Sequence, residues 1–199
     1  MKTIDIYLSA LIAPRPLFEE LMRKSIGGVL TPAFFALLGG VLSATLAVLV
    51  LTGVQGESGR ALFSTLAVLV PLLVLFVLAF KLALVHLFAS LWGLSSDVRS
   101  FWVSQTLSFV PFFLLLPLTI LLRALDIHGL FALVFIAVWA VSWRIEIIAM
   151  SAVYTLSTGK AFVLSLLPLA LAFAFTLIVL FAFVTVLGSL AFAMLGFAL

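Results

Sequence analysis

Long apolar runs separated by short polar links set the pattern of this chain. No charge occurs from Ser25 to Gly56. Within that stretch Thr31 and Pro32 supply an N-cap and a first-turn proline, which starts a helix at about 32–54. The polar turn from Gly53 to Arg60 separates it from a second run, 61–91, that holds Lys81 and His86. A third run, 101–122, contains Pro111 and Pro117 and ends in the turn from Arg123 to Gly129. The fourth, 130–156, carries Trp139, Trp143, Arg144 and Glu146; the link Ser157-Thr-Gly-Lys160 then leads to a fifth, 161–187. Gly188 and Ser189 are expected to mark the end of that span before a short apolar tail. A helix needs about 20 residues to cross the hydrocarbon core, so the pattern predicts five transmembrane helices.

Composition agrees. Of the 199 residues, 66% are hydrophobic and 9% charged, against about 45–50% and about 25% in soluble domains. The fold expected is an all-α integral membrane protein, a bundle of five transmembrane helices (32–199) behind a short N-terminal segment (1–31), with the lipid bilayer as its main partner. A net charge of +3, carried by scattered residues, points away from nucleic acid, and the chain has no cysteine for disulfides or thiolate sites. Lys2, Asp5, Arg15, Glu19, Glu20, Arg23 and Lys24 crowd the start of the chain, a pattern unlike a signal peptide, so the first span is expected to persist as an anchor.

Lys and Arg gather on the cytoplasmic side of membrane proteins. Lys2, Arg15, Arg23, Lys24, Arg99, Arg144 and Lys160 fall at one end of the spans, with only Arg60 and Arg123 at the other. This predicts a cytoplasmic N-terminus and an external C-terminus. In the N-terminal segment Leu17, Phe18, Leu21 and Met22 recur at helical spacing against Glu19, Glu20, Arg23 and Lys24, and Pro16 suits a first turn. An apolar face opposite a charged one beside a span predicts an amphipathic helix lying in the membrane interface; the alternative is a tail packed on the loops.

Charges within spans cost about 2.5–3.5 kcal/mol at the bilayer centre and are functional candidates. Lys81, Arg144 and Glu146 all project to the cytoplasmic half of their helices, so one polar cluster is expected there. Arg144 and Glu146 are two residues apart and occupy different faces. Glu146 is therefore expected to pair with Lys81, and Arg144 to reach the interface, Asp97, or Glu19 and Glu20. The cluster either fixes depth and register or opens a polar pocket or ion path. Pro71, Pro111, Pro117 and Pro168 suggest kinked packing, and Gly39, Gly40 and Ser43 a close helix crossing. Asp97 is expected to cap a helix from Val98. No sequence pattern suggests catalytic residues, a metal cluster or a cofactor site, so the chain is expected not to be an enzyme.

Three stretches carry a resemblance. The segment Pro14-Arg-Pro-Leu-Phe-Glu-Glu-Leu21 precedes the first span; Trp92-Gly-Leu-Ser-Ser-Asp-Val-Arg-Ser-Phe101 leads into Gln105-Thr-Leu-Ser-Phe-Val-Pro111; and Ser157-Thr-Gly-Lys-Ala161 follows the fourth span. In this order they resemble the Yip-domain family, the Rab/Ypt-interacting membrane proteins. The acidic Asp-Leu-x-Gly-Pro and Gly-Tyr patterns of eukaryotic members are not evident, which points to a prokaryotic relative in the cell inner membrane. The resemblance implies five spans, a cytoplasmic N-terminus and no catalysis. The expected role is a membrane scaffold or partner-binding protein in membrane organisation or trafficking, with protein partners or further copies of itself. The rivals are a small transporter or channel using Lys81, Arg144 and Glu146, and an accessory subunit of a membrane complex.

Overall fold

A computed structural model describes residues 2–23, 28–53, 56–94 and 97–196. Among these the chain forms α1 (Thr3–Ile12), α2 (Pro14–Arg23), α3 (Leu30–Thr52), α4 (Gly56–Leu91), α5 (Val98–Leu107), α6 (Leu115–Ala124), α7 (Phe131–Val153) and α8 (Thr158–Gly196). Short 3-10 turns at Val110–Leu114 and His128–Leu130 join α5 to α6 and lead into α7. Five segments are long and apolar enough to cross a membrane: Leu30–Thr52, Ser64–Leu91, Val98–Ala124, His128–Val153 and Thr158–Leu187. The chain is an all-α integral membrane bundle.

The fifth apolar span ends at Leu187, just before Gly188 and Ser189, while the backbone stays helical to Gly196. One glycine costs a helix only about 1 kcal/mol, and in hydrocarbon the helix keeps every backbone group paired internally.

The third span is broken, and its repair explains the packing around it. Pro111 lacks an N–H, and the chain passes through the 3-10 turn before resuming as α6. Non-helical backbone at membrane depth survives only where protein satisfies it. Ser142 of α7 donates from Oγ to the Ser108 carbonyl at 2.7 Å. Ser43 of α3 donates to the Phe113 carbonyl and accepts from the Leu116 N–H, both at 3.2 Å. These serines are spent on the break.

Ser43 comes this close because Gly39 and Gly40 lack side chains. A Cβ on Gly40 would lie 2.6 Å from the Phe109 carbonyl oxygen, and one on Gly39 2.2 Å from the Phe113 ring. The close crossing expected from Gly39, Gly40 and Ser43 is therefore α3 against the broken span. Backbone cannot rotate away as a ring can, so Gly40→Ala should destabilise by about 1–3 kcal/mol, the usual overpacking range. Thermal unfolding in detergent checks this; a variant melting with the parent would mean a looser crossing. At the far end of α3, Gly53 turns the chain at φ 67°, and Arg123 donates to the Val50 carbonyl.

The N-terminal segment departs from expectation. Helix α2 forms, but Leu17, Phe18 and Leu21 are buried in protein rather than turned to lipid; the side chain of Met22 lies outside the described residues. Their cluster includes Ala33 and Ala36 of α3, Val103 and Leu107 of α5, and Ile145 and Ala149 of α7. Three of these are alanines, whose small side chains leave room for the Phe18 ring. The amphipathic face of α2 thus packs as a plug on the bundle. Helix α1, not anticipated, packs Ile6 and Ala10 inward and exposes Ile4, Leu8 and Ile12 as one stripe. Its Tyr7 hydroxyl donates to the Pro32 carbonyl at 2.7 Å, and burial pushes that phenol above its ordinary value, keeping it a donor. Among the described side chains of this segment, the exposed large apolar ones are those of α1.

Packing is uneven across the spans. Among the described side chains of α4, those buried are the stripe Pro71, Leu78, Leu82, Val85 and Ala89. Helix α8 buries Ala161, Leu164, Ser165 and Pro168, and from residue 169 to 187 every side chain is exposed.

Candidate functional site: an ion pair beside a groove between three helices

The inward stripe of α4 places Leu78 and Leu82 on the core and sets Lys81 at its edge, half-buried. On α7, Ser142, Ile145, Glu146 and Ala149 form the inward face. Lys81 Nζ meets Glu146 Oε2 at 2.5 Å. At 1.5 Å per residue, Lys81 lies about 15 Å from the Leu91 end of α4 and Glu146 about 10 Å from the Val153 end of α7. Both charges are therefore inside the span, at nearly one level. The Lys81 side chain keeps 26% of its surface exposed and the Glu146 side chain 10%, so the cation faces outward and the carboxylate is recessed.

Two buried polar atoms stand out. Glu146 Oε1 and Gln105 Nε2 are both buried without a hydrogen-bond partner among the described residues. The Ser142–Ser108 bond fixes the antiparallel register of α7 on α5. Gln105 is three residues before Ser108 and Glu146 four after Ser142, which sets them at a similar height on antiparallel helices.

Arg144 does not join this cluster. It lies on the exposed face of α7 and takes no part in the Lys81–Glu146 contact. Two residues turn a helix by about 200°, so the inward position of Glu146 sends Arg144 outward. There its long stem suits snorkelling toward the interface. His86 instead meets the buried Tyr154, with Nδ1 and the hydroxyl 3.3 Å apart. Asp97 caps α5 as expected, accepting from the N–H groups of Arg99 and Ser100. The Ser100 hydroxyl bond, followed by the Arg99 N–H bond, holds the Asp97 carboxyl below its ordinary value.

A cavity of about 410 Å³ opens beside the pair, between α4, α7 and α8. Its walls are Val77, Phe80 and Lys81; Trp139, Ser142, Trp143 and Glu146; and Ser165, Leu166, Pro168, Leu169 and Ala172. Trp139 stacks on Trp143 at 5.3 Å and 25°, and Trp143 also packs on Phe162 at 5.3 Å. The Trp143 indole N–H donates to Ser165 Oγ at 3.2 Å, which fixes α8 against α7.

Comparison with protein-family models, with curated proteins and with solved structures found no match to this chain. The site is therefore read from its own geometry. It brings Lys81 and Glu146 together, leaves Arg144 out, and adds Gln105, Ser142, Trp143 and Ser165. A signal for one of these lay in the sequence: Ser142 shares a face with Glu146, four residues on within an apolar run. The polarity of Gln105 carried no indication of which helix it would face.

Proposed function

We propose that this chain is a non-enzymatic membrane scaffold that binds protein partners through its helix surfaces, as a prokaryotic relative of the Yip-domain family. In this reading it sits in the cytoplasmic membrane with its N-terminus inside and C-terminus outside, the orientation favoured by the Lys and Arg distribution.

The observation that carries the proposal is the outer part of α8. Lipid alone can satisfy an apolar helix, so exposure of residues 169–187 is not sufficient by itself. Length adds the argument. Helix α8 has 39 residues, about 58 Å at 1.5 Å per residue, against a hydrocarbon core of about 30 Å. Such a helix must tilt or leave the core, and tilt is set by packing against neighbouring helices. Among the described side chains of α8, which run to Leu187, those that are buried all lie before residue 169. Ala170 and Ala174 form a small-xxx-small pair on an exposed face, the kind of surface that lets membrane helices approach closely.

Isolation from native membranes in mild detergent tests the reading. The parent should carry a discrete partner or a further copy of itself. The pair Ala170→Leu with Ala174→Leu should lose that species while melting at the parent temperature. Migration of the parent as a lone species would count against it.

The second reading, a small transporter or channel, draws on the Lys81–Glu146 pair beside the groove. Outward of Ser142 and Ser165 the groove is walled by Val77, Trp139, Leu169 and Ala172, an apolar lining that favours the scaffold reading over an ion path. Flux in reconstituted vesicles that disappears in Glu146→Gln would reverse that preference.

A further inference from the structure

Helix α1 has four sides, each with its own surroundings. Ile6 and Ala10 are buried in the cluster that also holds Phe18, Ala33, Ala36 and Val110. Leu8 stands two residues from each of them, about 200° around the helix, and so points away from the bundle. With Ile4 and Ile12 it forms a stripe whose members are 64% (Ile4), 50% (Leu8) and 80% (Ile12) exposed. Tyr7 stands two residues from Asp5 and from Ser9, again about 200°. The aromatic side of the helix is therefore opposite its polar side.

Tyr7 also fixes the depth of α1. Its hydroxyl donates to the Pro32 carbonyl at 2.7 Å, and its ring packs on the Phe113 ring with centroids 5.7 Å apart. Helix α3 starts at Leu30 and has 23 residues, about 35 Å at 1.5 Å per residue, close to the hydrocarbon thickness of about 30 Å. Pro32, about 3 Å from that start, is therefore at the hydrocarbon edge. The Phe113 ring lies against Gly39, about 14 Å from the start of α3 and well inside the hydrocarbon. Tyr7 thus points from the edge into the core, which turns Asp5 and Ser9 toward headgroups and water. The stripe of Ile4, Leu8 and Ile12 then looks sideways, at the depth where acyl chains begin.

We propose that α1 lies in the plane of the membrane, embedded at the headgroup–acyl boundary of the leaflet in which α3 begins, and that acyl chains of that leaflet cover Ile4, Leu8 and Ile12. A helix in this position needs an apolar face about 5–10 Å into the boundary and a polar face above it, the two sides that the depth of Tyr7 assigns. Lys2 before the helix and Arg15 after it are both exposed, and such side chains extend their charged heads to an interface along apolar stems. Lipid surrounds the bundle at this depth, so covering the stripe requires no further protein.

The chain has no cysteine, so a single nitroxide label on Ile4→Cys, Leu8→Cys, Ile12→Cys or Asp5→Cys reports on one position of the full protein. Each labelled protein should melt with the parent, which shows that the bundle is kept. In vesicles of phosphatidylcholine and phosphatidylglycerol, collisions with oxygen, which concentrates in hydrocarbon, should exceed those with a water-soluble nickel chelate at the three apolar positions. The oxygen-to-nickel ratio should be similar at all three and several-fold lower at Asp5→Cys. Nickel collisions prevailing along the stripe would place it in water. Few collisions with either reagent would place it under a protein partner or a second copy of the chain. Either result would overturn the proposal, and a ratio climbing steadily from Ile4→Cys to Ile12→Cys would overturn the in-plane placement.

Discussion

Replacing Lys81 alone with methionine should destabilise the protein by about 3–5 kcal/mol, the cost of leaving one charge of a buried pair without its partner. Glu146 is the reason. Its side chain is 10% exposed and its Oε1 has no hydrogen-bond partner among the described residues, so with Lys81 gone no cation among those residues is in contact with it. The reverse change, Glu146→Leu, should cost less, because Lys81 is more exposed and its stem can carry the charge toward the interface. Both changes together should recover most of the loss, since apolar replacement of a whole buried pair is often neutral. Thermal unfolding of the two single variants and the double variant in detergent gives the coupling directly. If the two losses simply add, the pair contributes no net interaction and only the two positions matter.

The second large effect is expected far from any charge. Phe18→Ala should cost about 3–5 kcal/mol, the usual range for a fully buried aromatic side chain. The Phe18 ring has no exposed surface and shares a cluster with residues of α3, α5 and α7, so its removal loosens the N-terminal plug and those spans together. Faster proteolysis of the N-terminal segment and a lower melting temperature are the outcomes expected. An unchanged melting temperature with weaker membrane attachment would instead restore α2 to the interface.

These two cases show what the sequence could convey. The spans were legible because charge is excluded from about 20 residues at a time, a constraint imposed by the solvent and independent of any partner. The amphipathic face of α2 was legible as well. Its destination was not, because Leu17, Phe18 and Leu21 give the same periodicity whether they meet lipid or the alanines of neighbouring helices. Helix α1 was missed since ten residues with Asp5 among them are too short for a span and too apolar for a clear charged face.

The Lys81–Glu146 contact could be anticipated from two opposite charges at one depth on antiparallel spans. Arg144 shares that depth but not that face, and the sequence fixes a face only once the inward stripe of α7 is known. Pro111 announced a break in the third span. That Ser43 and Ser142 would satisfy the freed backbone depended on which helices lay beside it. The Yip-domain resemblance rests on short, loosely spaced stretches, and it enters the proposed function on those residues alone.

Site-specific photo-cross-linking from α8 in native membranes tests the central proposal most directly. A photoreactive residue at Phe173 or Leu177, on the face of Ala170 and Ala174, should give a discrete protein adduct, while one at Val179 on the opposite face should give lipid adducts only. Lipid adducts alone from all three positions would contradict a partner-binding role for this helix.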